Sequence, residues 1–282
     1  MATSPTAARR QIGRALGDLR RARGLTLDAA AESLGFSASK VSRLETGQST
    51  PPADDLARLI DFYEASAEDR AELEDLARAA RQRRPRTTYG KSLPSFFHRY
   101  LGLERAASEI RIYCGEIITG LLQTADYARA VTTSSPLHDS SEIDRFVEAR
   151  SDRQARLTAP SAPRLWVIMS EAAIRRIVGG PATMREQLAQ LAHLGRLPNV
   201  TIQVVPFSRG AVGAEGFDFT MLRFPDDHHD VVYLEDLTTA TYLDRKDDPA
   251  RQAYAAMWEH VSAAALDPDA TALLVDTALR EL

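Results

Sequence analysis

The feature that most restricts how this chain can fold is a connection of only three residues, Gly35-Phe36-Ser37, between two short amphipathic segments. Apolar residues recur three and four positions apart on both sides of it, with Ala30, Ala31 and Leu34 before it and Val41 and Leu44 after it. This spacing predicts two helices that each bury one face. Because the connection is too short for the helices to lie side by side, we expect them to cross at a steep angle.

Both helices have local signals at their ends. Thr26 and Ser37 suit N-cap positions, where a hydroxyl accepts a hydrogen bond from the first turn. Gly35 and Gly47 suit helix ends, where the backbone often becomes left-handed. Three further helices are predicted, one that ends near Gly24, one that begins at Pro51 or Pro52, and one over residues 67–80. We therefore expect residues 1–81 to form an all-α domain of five helices.

Basic residues are concentrated near the start of the chain, although 35 Lys and Arg against 39 Asp and Glu leave a formal net charge of −4. Up to position 43, Asp18, Asp28 and Glu32 oppose Arg9, Arg10, Arg14, Arg20, Arg21, Arg23, Lys40 and Arg43. The net charge excludes binding to polyanions through overall charge, but it allows one basic face.

A second basic run contains Pro85, Gly90 and Pro94, which interrupt helices. We interpret residues 82–94 as a basic linker between two domains. An arm that contacts phosphates is the alternative.

The second of the two crossing helices turns a polar face away from its apolar side. This face consists of Ala38, Ser39, Lys40, Ser42 and Arg43. Short side chains near the helix start allow its N-terminus, which favours anions, to approach a phosphate. Arg43 is long enough for a bidentate contact with guanine O6 and N7. The pattern favours recognition of double-stranded DNA.

Residues 10–64 resemble the phage-repressor-like (XRE) helix-turn-helix family. The resemblance lies in Leu19-Arg20, Ala22-Arg23-Gly24-Leu25-Thr26, Ala29-Ala30, Leu34-Gly35 and the run from Ser37 through Ser39-Lys40-Val41-Ser42-Arg43-Leu44-Glu45 to Gly47. It implies base contacts by Ala38, Ser39 and Arg43, and phosphate contacts near Lys40, the Leu27 backbone and the loop 47–49. It also implies a partly buried ion pair between Arg20 and Glu45. Some members of the family have a long amide side chain at the position of Ala38. Alanine cannot make the same contact with a base, but its methyl group can contact a thymine methyl.

The predicted set of DNA-contacting residues is therefore Thr26, Leu27, Ser37, Ala38, Ser39, Lys40, Ser42, Arg43 and Gln48. One such domain reaches a single half-site. We expect a homodimer that binds a nearly palindromic operator with half-sites about 34 Å apart.

From about Ser95 the pattern changes to alternating strands and helices. Strands are predicted over residues 165–169, 200–204, 217–221, 231–235 and 239–243, with a hairpin loop at 225–230. Helices are predicted over residues 95–110, 127–131, 143–157, 171–178, 182–197 and 249–266. Residues 95–282 are thus expected to form an α+β domain with about four or five mainly antiparallel strands and flanking helices.

This part resembles the DUF5753-like domain that follows the helix-turn-helix in WhiJ-type regulators of actinobacteria. The residues that carry the resemblance include Gly120-Leu121-Leu122-Gln123-Thr124, Arg153-Gln154, Pro198-Asn199-Val200 and Val232-Tyr233-Leu234-Glu235. The family is described as antitoxin-like and its genes often neighbour a small protein. The resemblance therefore implies a possible small partner protein.

The groups that could support catalysis are few. His228-His229 is interpreted as a solvated hairpin tip and not as a metal site, and Cys114 as a small buried side chain. Glu148, Arg150, Arg153 and Gln154 form a polar helix face, for which a solvated surface or dimer contact is favoured and a ligand clamp is the alternative. We expect no catalytic residues, no cofactor and no metal.

The single cysteine, the lack of a signal peptide and the lack of a long apolar run favour a soluble, cytoplasmic protein with no membrane partner. The leading hypothesis is a DNA-binding transcriptional regulator whose C-terminal domain dimerises and receives a small-molecule or protein signal. The alternatives are an antitoxin-like protein that binds a neighbouring partner and regulates its own promoter, and an enzyme fused to a DNA-binding domain.

Overall fold

A computed structural model describes residues 5–81, 93, 95–137, 139–224, 230–244 and 248–282. The chain divides into two compact units, Met1–Arg86 and Thr87–Leu282. The predicted linker 82–94, apart from Leu93, and the predicted hairpin tip with His228 and His229 lie outside the described residues.

The N-terminal unit contains the five expected helices. They are α1 (Pro5–Ala22), α2 (Leu27–Leu34), α3 (Ala38–Glu45), α4 (Ala53–Phe62) and α5 (Ala67–Arg81). Thr26 caps α2, whose end is set by Gly35 in the left-handed region (φ 63°), and Ser37 caps α3. These local signals place the start of both crossing helices and the end of α2 within a residue of the prediction, whereas α3 ends at Glu45, two residues before the predicted Gly47.

The core of this unit is formed by the apolar faces of all five helices. Ile12 and Leu16 of α1 and Leu59 and Ile60 of α4 are fully buried, and Leu73 of α5 packs into the same cluster. Since α2 and α3 contribute only Ala30, Leu34 and Leu44 to this cluster, the polar faces of both helices remain outside it.

The C-terminal unit is built around one sheet. Its helices are α6 (Ser95–Ala106), α7 (Ala125–Ser134), α8 (Ser140–Gln154), α9 (Glu171–Arg175), α10 (Pro181–Leu194), α11 (Pro249–Ala264) and α12 (Pro268–Arg280). Its strands are β1 (Glu109–Cys114), β2 (Arg164–Ser170), β3 (Val200–Val205), β4 (Phe219–Arg223), β5 (Val231–Glu235) and β6 (Ala240–Leu243). The α+β class is confirmed.

The strand order is β3-β2-β1-β4-β5-β6. The pairs β1–β2 and β2–β3 are parallel, with Ile112 opposite Val167 and Val167 opposite Ile202. The pairs β1–β4, β4–β5 and β5–β6 are antiparallel. The sheet is therefore mixed, and its two central strands are β1 and β4.

Helices cover both faces of the sheet. Ile112 and Val167 face a cluster with Leu188 of α10 and Val275 of α12. Tyr113, the next residue on β1, faces the opposite cluster, whose centre is the fully buried Trp258 of α11. A strand buried on both faces has no alternation of polar and apolar residues.

Two predictions for this unit were wrong. The segment around Ile110 was predicted as a continuation of the preceding helix, but it is β1, one of the two central strands. A solvated surface or a dimer contact was favoured for the polar face of α8, but only Glu148 is exposed as expected, and the side chain of Arg153 is only 10% exposed because it pairs with the buried Glu104. The Nε2 atom of Gln154 likewise donates to the backbone oxygens of Gly120 and Gln123.

No helix among the described residues combines the length and the apolar character that crossing a bilayer would require.

Candidate nucleic-acid interface

The N-terminus of α3 is open to solvent. Ser37 Oγ accepts a hydrogen bond from the Lys40 backbone nitrogen at 3.2 Å and lies 3.1 Å from Ser39 Oγ. Both serines are exposed. Exposed N–H groups and hydroxyls at a helix start can donate to phosphate oxygens, and the helix dipole favours that negative charge.

Arg43 lies one turn farther along the same exposed face. Its Nε donates to the Ser39 backbone oxygen at 3.2 Å, which holds the side chain along the helix surface. Within the described part of the chain, its two terminal nitrogens have no further partner. The guanidinium therefore keeps the planar pair of donors that a guanine edge accepts.

The other predicted contact residues flank this face. Thr26 is exposed at the start of α2, where its Oγ1 accepts from the Ala29 nitrogen at 3.2 Å. Gln48 is exposed in the turn after α3, and its backbone nitrogen donates to the Arg43 oxygen at 2.9 Å. The structure leaves four predicted contact residues half-buried: Leu27, Ala38, Lys40 and Ser42.

Lys40 does not extend toward solvent. Its Nζ lies 2.8 Å from Asp55 Oδ2 of α4 and 3.8 Å from the centroid of the Phe36 ring. A phosphate contact by Lys40 would require this ion pair to open. The sequence prediction treated Lys40 by position alone and therefore missed Asp55 as its partner.

Phe36 contacts two cations. The Arg58 guanidinium lies 4.7 Å from the centroid of the Phe36 ring, which Lys40 also contacts. Arg58 also donates a hydrogen bond to the Leu34 backbone oxygen. Each cation–π contact is worth about 0.5–1 kcal/mol at exposed sites. Together these contacts attach the turn between α2 and α3 to α4.

Arg20 and Glu45 join the first helix to the end of the third. Arg20 Nε lies 2.9 Å from Glu45 Oε1, and Arg20 NH2 lies 2.9 Å from Oε2, so the pair is bidentate. The NH1 group donates to the Leu25 backbone oxygen at 2.6 Å, and the Tyr63 hydroxyl donates to Glu45 at 3.3 Å. The side chain of Arg20 is 11% exposed and that of Glu45 is 8% exposed. Hydrogen bonding to Glu45 raises the pKa of Arg20, and burial raises the pKa of Tyr63.

Two glycines allow the backbones of α1 and α3 to approach closely. A Cβ on Gly13 would lie 2.6 Å from the Glu45 oxygen, and one on Gly47 would lie 2.9 Å from Arg10 Cα. Gly47 also has a φ of 65°. The sequence prediction identified Gly47 as a helix end, but it gave no sign that Gly13 is required for packing.

In the C-terminal unit, the Cys114 side chain is buried, and burial raises the pKa of its thiol. Among the described residues, no three His, Cys, Asp or Glu side chains are grouped so that they could hold a metal ion.

Comparison with known families gives two matches. A helix-turn-helix domain model matches residues 11–73, which include α2, α3 and the exposed face described above. The model described as a domain of unknown function (DUF5753) matches residues 97–277, which is more than half of the 282 residues. No curated protein and no solved structure matches the chain. The chain therefore belongs to the DUF5753 family and carries a helix-turn-helix domain ahead of the family's domain.

Proposed function

We propose that the protein is a sequence-specific DNA-binding transcriptional regulator that binds a nearly palindromic operator as a homodimer. The observation that carries this proposal is the exposed face of α3, where Ser39 and Arg43 lie one turn apart behind an open helix N-terminus. Backbone and hydroxyl donors at the helix start would hold phosphates, and the side chains beyond them would reach base edges.

The C-terminal unit is proposed to dimerise and to receive the signal that alters DNA binding. A binding role and not a catalytic one is proposed for it. Cys114 supports this, since a buried thiol with a raised pKa stays protonated at neutral pH and is a poor nucleophile.

The deciding experiment is an electrophoretic mobility shift of the full chain on the DNA upstream of its own gene. We expect a specific complex whose affinity falls steeply as salt is raised, because phosphate contacts release counterions. Arg43→Ala should weaken the complex by about 10- to 100-fold, the loss expected for one bidentate base contact. Its thermal unfolding should match that of the parent, since Arg43 is exposed.

Arg78→Ala is the matched control, because Arg78 is an exposed arginine on α5 whose ionic partner among the described residues is the nearby Asp75. It should leave the complex unchanged. Equal binding by Arg43→Ala and the parent would refute the assigned interface. A small protein that copurifies with the chain and suppresses the shift would favour the antitoxin-like role instead.

A further inference from the structure

The C-terminal unit contains a cavity of about 490 Å³. It lies between α6, α7 and α8 on one side and β1, β4 and β5 on the other. Phe97, Tyr100, Phe146 and Tyr233 contribute aromatic rings to its wall. The volume falls within the range of about 300–1,000 Å³ that is usual for sites of small organic ligands.

One cation that lines this cavity has no ionic partner among the described residues. Arg150 of α8 is partly buried, and its NH1 donates to Thr132 Oγ1 at 3.2 Å. Over the described ranges of the chain, no carboxylate oxygen lies within 4.0 Å of its guanidinium. Burial and the neighbouring Arg153 lower the pKa of Arg150 to about 10, although the charge of Glu235 opposes the shift. Arg150 is thus charged at neutral pH, and most of its five N–H donors have no acceptor among the residues that the structure describes.

The other arginine of the cavity is neutralised. Arg153 Nε and NH2 lie 2.9 and 2.7 Å from the two carboxylate oxygens of Glu104, which is only 1% exposed. The charge of Arg153 is therefore met within the chain, whereas the described residues give the partly buried Arg150 only a hydroxyl partner, so Arg150 is the cation of this wall that can take an acceptor from outside the chain.

A buried acceptor lines the same cavity. Gln123 is 4% exposed, and its Nε2 donates to the Ile118 backbone oxygen at 2.6 Å. Its Oε1 accepts no hydrogen bond from any described residue. A buried oxygen without a hydrogen-bond donor costs about 1–3 kcal/mol of stability. A bound molecule that donates a hydrogen bond to this oxygen would remove that cost.

The carboxylates that line the cavity are already engaged. Asp218, Glu235 and Asp236 are exposed, and they accept hydrogen bonds from Gly115 N at 2.8 Å, the Tyr233 hydroxyl at 2.6 Å and Leu237 N at 2.7 Å, respectively. Solvent screens exposed charges far more than a charge in the wall. The local electrostatic preference near Arg150 is therefore for an anion.

We propose that the cavity binds a small organic anion whose carboxylate or phosphate group contacts Arg150, whose hydrogen-bond donor meets Gln123, and whose apolar body packs against Phe97 and Phe146. A planar guanidinium suits both oxyanions because each accepts two parallel N–H bonds. The identification of this anion as the signal that alters DNA binding rests on the proposed function. The binding itself is independent of DNA.

The test is isothermal titration calorimetry of the full chain, without DNA, against three matched probes. These are 1-naphthoate, 1-naphthyl phosphate and the neutral 1-naphthalenemethanol. We expect one site per chain and at least tenfold tighter binding of one or both anions than of the alcohol. Equal affinities for all three probes, or no heat with any of them, would overturn the proposal.

Arg150→Gln should reduce anion binding at least tenfold and leave the alcohol unchanged, whereas Arg150→Lys should retain part of the preference for anions. Arg196→Gln, at an exposed arginine on another surface, is the control and should behave as the parent. Anion affinity that survives Arg150→Gln would also overturn the assignment. The comparison of charged and neutral probes on the parent stands even if a variant fails to fold.

The mobility shift separates this proposal from the proposed function. Calorimetric binding with no operator complex counts against the regulator and leaves the anion site intact. An operator complex with no calorimetric binding counts against the anion site alone.

Discussion

Arg20, Arg43 and Arg150 carry the same guanidinium in three environments, and the environment decides what each can do. Arg20 is enclosed and has carboxylate and carbonyl acceptors, so it holds two helices together. Arg43 is exposed beside one backbone oxygen, so it can reach an external acceptor at little desolvation cost. Arg150 is partly buried beside one hydroxyl, so in the proposed complex its remaining N–H groups would donate to the anion.

Arg20→Ala is expected to destabilise the N-terminal unit by about 3 kcal/mol, at the lower end of the range for breaking a buried pair because the site is partly exposed. The loss arises because Glu45 keeps its charge and loses its partner. Urea unfolding followed by circular dichroism measures it. Arg23→Ala is the control, since Arg23 pairs with the exposed Glu64. Identical midpoints for Arg20→Ala and the parent would contradict the role assigned to the pair.

Asp55→Asn is expected to strengthen operator binding. The substitution releases Lys40, which then becomes available for a phosphate. One added phosphate contact should steepen the slope of log K against log salt by about 0.9. Fluorescence anisotropy on a labelled operator over a salt series gives this slope.

Asp61→Asn controls for the general loss of negative charge, because Asp61 lies on the same helix and pairs with Arg70 instead. If both substitutions change the slope equally, Lys40 gains no phosphate contact.

At the scale of elements, the helices of the N-terminal unit were predictable because their signals are local. Thr26, Gly35 and Ser37 each act on residues within one turn, and all three perform the predicted capping role. The strand β1 was missed because Leu103, Ala107 and Ile110 continue the helical spacing of α6 across its end. A central strand buried on both faces has no period of two that could contradict this interpretation.

The exposed face of α3 was also predictable, but the fates of its charged side chains were not. The partner of Lys40 lies on α4, and the partner of Arg153 is Glu104, 49 residues away. Burial of a charged side chain depends on such distant partners, which periodicity does not reveal. For the same reason the sequence alone does not distinguish a ligand clamp on α8 from a solvated surface or a dimer contact.

Gly13→Ala and Gly17→Ala are expected to have opposite effects, although both lie within α1. Helix propensity alone favours alanine by about 1 kcal/mol at each position. At Gly13, however, the added Cβ would meet three backbone atoms of the α3 end at 2.6–2.7 Å, and overpacking of this kind costs about 1–3 kcal/mol. At Gly17 it would meet no backbone atom this closely, but the end of the exposed Arg21 side chain at 3.3 Å and Glu45 Oε2 at 3.4 Å.

We therefore expect Gly13→Ala to lower the free energy of unfolding and Gly17→Ala to leave it equal or slightly higher. Urea titration of the two variants and the parent decides this. A stabilised Gly13→Ala would show that α1 and α3 do not approach as closely as described.

At the scale of the whole molecule, a single recognition helix limits what one chain can bind. The α3 helix has eight residues, and only part of its exposed face can contact base edges at one time. Since each good base contact supplies about 1–3 kcal/mol, one half-site gives modest specificity. Pairing two chains makes the second contact effectively intramolecular, which raises the affinity without any new residue in the interface.

The dimer hypothesis has a geometric consequence that can be measured on the operator itself. Insertion of five base pairs between the half-sites turns one of them by about half a helical turn, so a symmetric dimer can no longer contact both from one side of the duplex. We expect affinity for the altered operator to fall to that for an isolated half-site, whereas a substitution of five base pairs outside the half-sites should have no effect. Sedimentation of the full chain without DNA should show two chains per particle. Equal affinities for the parent operator, the altered operator and a single half-site would mean that each chain binds DNA alone.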